Sequence, residues 1–360
     1  MNRIQKIQNQ LRSQKLNAVL VYKPQNVRYL CGFTGTNGQL LITPRKVILM
    51  TDFRYFRVAR KQIPKSIEIV DGKKEFKTLL SRFKVVGFEE RYVTYSRFQT
   101  LKKALPKVRL KSVGDMVDTL RMIKDVDEIR IIKKACKIAD ECLKRLTQHI
   151  KVGVSEDELE WHLLSIARDL GADGFSFDPI ICFGKNTADV HHQKEPNRFK
   201  KGEMVLIDMG ITYRGYMTDM TRVFFTKPLT EKQKQIYEIV LEANEKAIAS
   251  IAVGKKLSEI DCVARDVIKK AGYGDRFGHS TGHGVGLEIH EMPAVSSESD
   301  IRVQPGMVFT IEPGIYLDSF GGVRIEDMVY VNEKGRVEVL TKSPKKQFFI
   351  AISNCTHCSN

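Results

Sequence analysis

The sequence predicts an α+β protein of two domains, a smaller α/β domain followed by a larger one of long helices against a mostly antiparallel sheet. Three observations lead there. At 360 residues the chain is too long for one minimal domain and about right for two. Up to about residue 115, short β-branched runs alternate with helix-like ones, the texture of an α/β layer. From about Leu120 the chain turns to long, charged segments of helical period separated by strong strand signals. A hydrophobic share of 42% and a charged share of 28% are those of an ordinary soluble globular protein, so disorder, collagen-like repeats and coiled-coil arrays are excluded. No apolar run approaches the roughly 18 residues of a membrane span.

In the first domain Ile4, Ile7 and Leu11 recur at helical spacing, and Ala18 to Tyr22 reads as a buried strand. Leu40 to Pro44, Lys46 to Asp52, Ser66 to Val70 and Val85 to Phe88 follow as strands, with helices expected around 53–62, 73–83 and 95–105. In the second domain, residues 124–150 place Ile129, Ile132, Ala135, Ile138 and Ala139 on one helical face. Ser155 with Glu158 is a capping-box signature opening a helix through Asp169, closed by Gly171. Thr230 with Gln233 opens a third helix running to about Ile251, and Ser258 opens a fourth that ends at Gly272. The expected divisions are 1–120, 121–347 and a tail over 348–360. Cys355, His357 and Cys358 in that tail form a lone C-x-x-C, read as a frayed end rather than half of a metal or redox pair.

The net charge of +16 is the unusual global number, and residues 1–51 hold eight Lys/Arg with no acid before Asp52. Such a start can be a transit peptide or a nucleic-acid surface. The segment reads as structure instead, with no cleavable apolar region. No aromatic-interleaved basic stripe is apparent, so a solvated basic surface is expected and nucleic acid is not. Seven scattered cysteines, an odd number, point away from a secreted disulfide framework and towards a reducing, cytoplasmic compartment.

The chemistry lies in four acids at strand ends. Val205 to Asp208 and Tyr216 to Phe225 flank a turn at Tyr213–Gly215, and Asp208 and Asp219 are equidistant from the midpoint between Tyr213 and Arg214. In a simple hairpin they would face each other, a like-charge pair that a divalent cation would offset; a bulge would instead shift the register and leave both solvated. Glu312 in Phe309–Gly314 and Glu326 in Gly322–Asp327 are symmetric about Ser319 and could pair likewise. An acid after strand-forming residues is a poor choice for burial, and four such cases argue for one shared site. Imidazole is at hand: His279, His283 and His290 lie close together among four glycines, and the pair His191 and His192 begins seventeen residues before Asp208. Glycine lets the backbone pass close to a ligand there. A carboxylate-rich cage with imidazole suits Mn²⁺, with Co²⁺, Fe²⁺ or Zn²⁺ as the other candidates. His149 and His162 read as structural.

These strings, IDMG, TDMTR, HSTGHGVGLEIHE, TIEPGIY and VRIED, resemble the motifs of the pita-bread metallopeptidases. NVRYLCGFTGTNGQLLITPRKVILMTDFRY is similar to the amino-terminal domain of prolidases, aminopeptidases P and creatinases, so that the resemblance spans about residues 1–345. Methionine aminopeptidases share the ligands but lack that first domain. The resemblance implies a C-terminal pita-bread domain and a Xaa-Pro peptidase acting on peptides with proline second. It implies two divalent metal ions held by Asp208, Asp219, His283, Glu312 and Glu326, whose four carboxylates the ions would nearly neutralise. It implies Glu312 as general base, His290 and His191 at the oxyanion or the proline, and His279 and Arg324 positioning substrate. A homodimer is implied as well. Val190 stands where the family often has proline before the histidine matched by His191.

Two other readings compete. A creatinase-like hydrolase without metals would lack the full ligand set. A degenerate pita-bread binding module, which the positive charge could favour, would have lost ligands. All five are present here. Dipeptidase and aminopeptidase remain evenly matched.

Overall fold

The computed structural model describes residues 2–226 and 229–346, so the C-x-x-C of the tail lies outside the described residues. The chain divides into two compact units after Arg121.

The first unit is built on α1 (Arg3–Ser13), β1 (Ala18–Val21), α2 (Pro24–Cys31), β2 (Gly38–Ile42), β3 (Val47–Thr51), α3 (Phe56–Gln62), β4 (Glu68–Asp71), α4 (Gly72–Leu80), β5 (Val85–Phe88), α5 (Tyr95–Ala104) and β6 (Arg109–Ser112), and closes with the short α6 (Asp118–Arg121). Its six strands form one sheet in the order β4-β3-β2-β1-β5-β6, in which β2 alone runs antiparallel. Strand alternation sends Leu20, Leu41, Ile48 and Met50 to the face covered by α4 and α5, where Leu80, Leu101 and Leu105 are buried against them. Buried Ile7, Leu11, Val27, Leu30 and Ala59, from α1, α2 and α3, lie outside that cluster and serve the opposite face. Two elements were not legible in advance. Helix α2 is only eight residues long, started by Pro24 and stopped by Gly32 at φ 82°. Strand β6 is a polar edge strand, Arg-Leu-Lys-Ser, with no apolar pattern to announce it.

The second unit begins with α7 (Val126–Leu146) and α8 (Glu156–Asp169). After them come β7 (Gly174–Phe175), β8 (Ile180–Phe183), β9 (Met204–Met209), β10 (Ile211–Tyr213), β11 (Tyr216–Met217) and β12 (Met220–Phe225). Helices α9 (Glu231–Ala249) and α10 (Leu257–Lys270) precede β13 (Gly282–Gly284), β14 (Glu291–Val295), β15 (Val308–Ile311), β16 (Gly314–Leu317), β17 (Gly321–Arg324), β18 (Asp327–Val331) and β19 (Val337–Val339). Every strand pairing in this unit is antiparallel. Helices α7 and α8 cover the sheet β12-β9-β8, and α9 and α10 cover β14-β13-β15-β18-β19, each through its own apolar cluster. The face predicted for α7 is buried throughout. Reciprocal capping boxes at Ser155/Glu158 and Thr230/Gln233 open α8 and α9 as their spacing requires. The fourth helix starts one residue earlier than Ser258, because the Glu259 carboxylate accepts from the Lys256 backbone amide at 2.7 Å.

The hairpin register differs from the simple symmetric reading. The turn residues are Arg214 and Gly215, at φ 49° and 73°, a pair of left-handed residues that matches strand twist in a two-residue loop. Tyr213 therefore faces Tyr216, and Asp208 faces Thr221 rather than Asp219. Asp219 sits in a break between β11 and β12, opposite the break at Gly210 between β9 and β10, where a Cβ would overlap the Thr218 carbonyl oxygen. The second ribbon keeps its symmetry. Ile311 pairs with Asp327 and Gly314 with Arg324, one continuous register that brings Glu312 opposite Glu326.

Two of the glycines around the histidines, Gly282 and Gly284, serve neighbouring backbone. A Cβ at Gly282 would collide with the Thr310 carbonyl, and one at Gly284 with the Met292 carbonyl, so these glycines let β13 lie tightly between β14 and β15. Gly282→Ala is expected to destabilise the metal-stripped protein by about 3 kcal/mol, read by denaturant unfolding. Gly278→Ala, where nothing lies within 4 Å, is expected to leave the midpoint unchanged.

Candidate metal centre

Three of the four acids lie just outside a strand, where neighbouring pairing holds the backbone but does not constrain the side chain to a sheet face, and Asp208 lies within one. Asp208 is near the end of β9, Asp219 precedes β12, Glu312 follows β15 and Glu326 precedes β18. His283 is central in β13. The fold brings all five together: all line one cavity of about 570 Å³. Asp219, His283 and Glu326 each offer a ligand atom within 4.8 Å of the others'. His283 Nε2 lies 3.5 Å from Asp219 Oδ2 and 3.3 Å from Glu312 Oε1.

The donor set fits a cation. Asp208 Oδ1 and Glu326 Oε1 are buried without a hydrogen-bond partner, a costly state for a carboxylate oxygen that an ion would relieve. His283 Nδ1 donates to the Gly284 carbonyl at 3.1 Å, which turns Nε2 towards the acids, as a donor to Glu312 when protonated and as a lone pair for an ion when not. Asp219 and Glu326 have pKa values well above the usual carboxylate range, first through burial and then through the charges of the surrounding acids. Burial opposes the charged forms of Glu312 and His283, but their mutual bond outweighs it, holding Glu312 down and His283 up.

A ring of uncharged and cationic groups fixes these acids. Arg324 is buried and donates to Asp208 Oδ2 at 2.6 Å, to the Tyr316 hydroxyl at 3.0 Å and to Thr221 Oγ1 at 3.0 Å. Thr221 in turn donates to Glu326 Oε2 at 2.7 Å, and Thr310 to Glu312 Oε1 at 3.1 Å. Asn244 on α9 donates through one amide nitrogen to the carbonyls of Ile311 (2.9 Å) and Ile325 (3.2 Å), the residues directly before Glu312 and Glu326. Arg222 bonds the Glu326 carbonyl and pairs with Asp327 at 2.7 Å, both fully buried. Asp261 on α10 accepts from Thr281 Oγ1 at 2.7 Å, anchoring the approach to His283. Thr221, Arg222, Asn244, Asp261 and Tyr316 were not singled out from the sequence. The positions of Thr221 and Arg222 within TDMTR and of Tyr316 within TIEPGIY hinted at them, whereas Asn244 looks like any polar residue of an amphipathic helix.

The other histidines separate by environment. His290 packs edge-on to His283 at 4.3 Å between ring centroids, and His191 lies exposed on the cavity wall. Burial holds the His290 pKa below its usual value, so its ring is neutral. Both nitrogens of His279 are engaged, Nδ1 by the Ser280 carbonyl at 2.9 Å and Nε2 by the Tyr316 hydroxyl at 2.8 Å. His192, beside His191, is buried against Glu156 at 2.9 Å. His149 and His162 stack on each other at 3.9 Å and do not line the cavity. Phe177, Ile180, Val190 and Ile289 supply the cavity's apolar wall.

Comparison with known proteins agrees with this architecture. Residues 130–333 match metallopeptidase family M24, and residues 3–123 match the creatinase/prolidase N-terminal domain. The Xaa-Pro dipeptidase of Pyrococcus horikoshii is 37% identical over 345 residues, covering 96% of this chain and 98% of that one. A solved Xaa-Pro dipeptidase from Bacillus anthracis superposes with a TM-score of 0.92 at 37% identity, over 97% of this chain and 99% of that one. An X-Pro aminopeptidase from Thermotoga maritima superposes at 0.88 and 33% identity, over 98% and 100%. The chain belongs to metallopeptidase family M24, and its larger unit has the pita-bread fold.

Two outcomes follow for the isolated centre. Raised carboxyl pKa values mean that the folded, metal-stripped protein binds more protons than the unfolded chain above the ordinary values of 3.8 and 4.5. Its stability contribution from Asp219 and Glu326 is therefore expected to fall as pH rises from there towards neutrality. Mn²⁺ should raise the melting temperature more at pH 8 than at pH 5.5, as calorimetry of stripped and reloaded protein would show. Asn244→Leu is expected to weaken metal affinity by about 10–100-fold, the usual cost of losing a group that holds ligands in place, read by competition with a chromogenic chelator.

Proposed function

We propose that this chain hydrolyses the bond between an N-terminal residue and a following proline, with the 121–347 region as the catalytic domain. The observation that carries this reading is the pair of orphaned, buried carboxylate oxygens, from residues that share one cavity with His283 and an apolar wall. Asp208, Asp219, His283, Glu312 and Glu326 would hold two divalent ions, Mn²⁺ first among the candidates. When bound, such ions acidify a water and polarise a carbonyl oxygen. Glu312 keeps Oε2 clear of the Thr310 bond, so this oxygen can accept the water's proton and deliver it to the leaving proline nitrogen. Neutral His290 and exposed His191 stand where a ring N–H could bond the developing oxyanion or the proline side. Phe177, Ile180 and Ile289 would receive the proline ring.

The geometry supports a revised role for two residues expected to position substrate. Arg324 would orient Asp208 through the Tyr316 and Thr221 network, and His279, with both nitrogens engaged, would offer substrate only its ring. The binding-module reading is not favoured, since the full ligand set is present and converges. No helix among the described residues is long and apolar enough to cross a membrane. Five described cysteines are free thiols, which supports a reducing, cytoplasmic setting. A homodimer belongs to the same reading.

The test is hydrolysis of Ala-Pro beside Ala-Pro-Gly-Gly in Mn²⁺. Cleavage of at least one is expected, with kcat/KM falling more than about 100-fold in Asp219→Asn, beyond the cost of losing a merely supporting group. Cleavage of the dipeptide alone makes it a prolidase, and efficient cleavage of the tetrapeptide an aminopeptidase P. Failure on both with metal bound would remove the peptidase reading.

A further inference from the structure

The positive charge is not spread over the molecule. Residues 1–121 hold 26 lysines and arginines against 8 acids, a formal charge of +18, whereas the remaining residues hold 33 against 35. A general compositional bias would have made both units basic. The second unit thus acts as an internal control, and the charge of the first is local.

Six of the first unit's 26 cations lie on two neighbouring helices, α4 and α5. Helices α4 and α5 lie on the same face of the sheet and border a crevice of about 360 Å³, lined by Lys73 and Phe76 from one and Arg97 and Thr100 from the other. Lys73, Lys74 and Lys77 on α4, and Arg97, Lys102 and Lys103 on α5, are all exposed. Ion pairs in this unit engage Lys23, Arg54, Arg91 and Arg121, and none seen among the described residues engages these six; Arg97 lies over the Tyr22 ring at 5.3 Å. The acids nearby do not neutralise the face. Asp71 caps the start of α4 and Asp52 is bound by Arg54 and Asn37, which leaves Glu75 as the exposed acid on the two helices. Tyr95, at the start of α5 and two residues from Arg97, is 77% exposed.

We infer that the α4–α5 face of the first unit binds the phosphodiester backbone of a single-stranded nucleic acid, along the crevice between the two helices. Lys73 on one bank and Arg97 on the other line the crevice, and the remaining exposed lysines belong to the same two helices, so phosphates can be contacted without base specificity. The exposed Tyr95, at the start of α5, offers a stacking surface of the kind that single strands use. An acidic bilayer would match the charge but not the form: it is flat, and would leave the crevice and its Phe76 wall unfilled. The sequence shows no continuous basic-aromatic stripe because the fold assembles this one from two helices separated by fourteen residues of loop and strand.

The test uses the full chain and a fluorescently labelled 20-nucleotide strand, as RNA and as DNA, followed by anisotropy at several salt concentrations. Binding is expected at low salt, weakening steeply with added salt at a slope of about −0.7 per phosphate contact. The triple variant Lys73→Gln/Lys77→Gln/Lys103→Gln should bind at least about tenfold more weakly and lower that slope by about 2. Its Ala-Pro hydrolysis should not change. The control Arg57→Gln/Arg60→Gln/Lys61→Gln removes the same charge from exposed positions of α3 and should bind as the parent does. Equal loss in both variants would reduce the effect to net charge and overturn the site. Absence of binding to either strand would overturn it too, as would tighter co-sedimentation with phosphatidylserine vesicles that the strands fail to displace. Because peptidase activity is read separately, failure here leaves the proposed reaction untouched.

Discussion

The structure of the larger unit is organised around one electrostatic problem: four carboxylates are held together at the ends of antiparallel strands. Left alone, such a cluster resists ionisation, which is why Asp219 and Glu326 retain protons far above their ordinary range. Divalent ions reverse that balance, because the charge that burial penalises becomes the charge that coordinates. Two orphaned oxygens and an imidazole with its Nε2 turned inward are what such a cluster looks like when its geometry is fixed by the protein.

That geometry is maintained by backbone more than by side-chain packing. Asn244 reaches from α9 to the two carbonyls that precede Glu312 and Glu326, so one buried amide sets the separation of two ligands. Arg222 performs a similar service from the other side of Glu326, and Arg324 ties Asp208 into the Tyr316–Thr221 network. The close approach of β13 to its neighbours, permitted by Gly282 and Gly284, brings His283 within reach. A displacement in any of these reaches the metal ligands without passing through solvent.

Much of this was legible in the sequence because it is local or periodic. Capping boxes placed the starts of α8 and α9, and the apolar stripe of α7 was read residue by residue. The four acids were found because acids after strand-forming residues are unusual where they stand, and histidines among glycines marked a second cluster, from which only the family resemblance singled out His283. What escaped depended on contacts distant in sequence or on fine turn geometry. A turn centred one residue later than expected places Thr221, not Asp219, opposite Asp208. Asn244 is separated from its partner carbonyls by more than sixty residues. Gly282 and Gly284 pointed to the right region for a different reason: they admit a neighbouring strand.

The most direct test of the account is the metal content of the protein itself. Chelator-stripped protein, titrated with Mn²⁺ while Ala-Pro hydrolysis is followed, should regain activity in proportion to metal bound and level off at two ions per chain. Glu326→Gln should bind less metal and stay inactive while keeping the parent's circular dichroism. Full hydrolysis after exhaustive chelation, or full activity in Glu326→Gln, would contradict the claim that the carboxylate cluster exists to hold the catalytic ions.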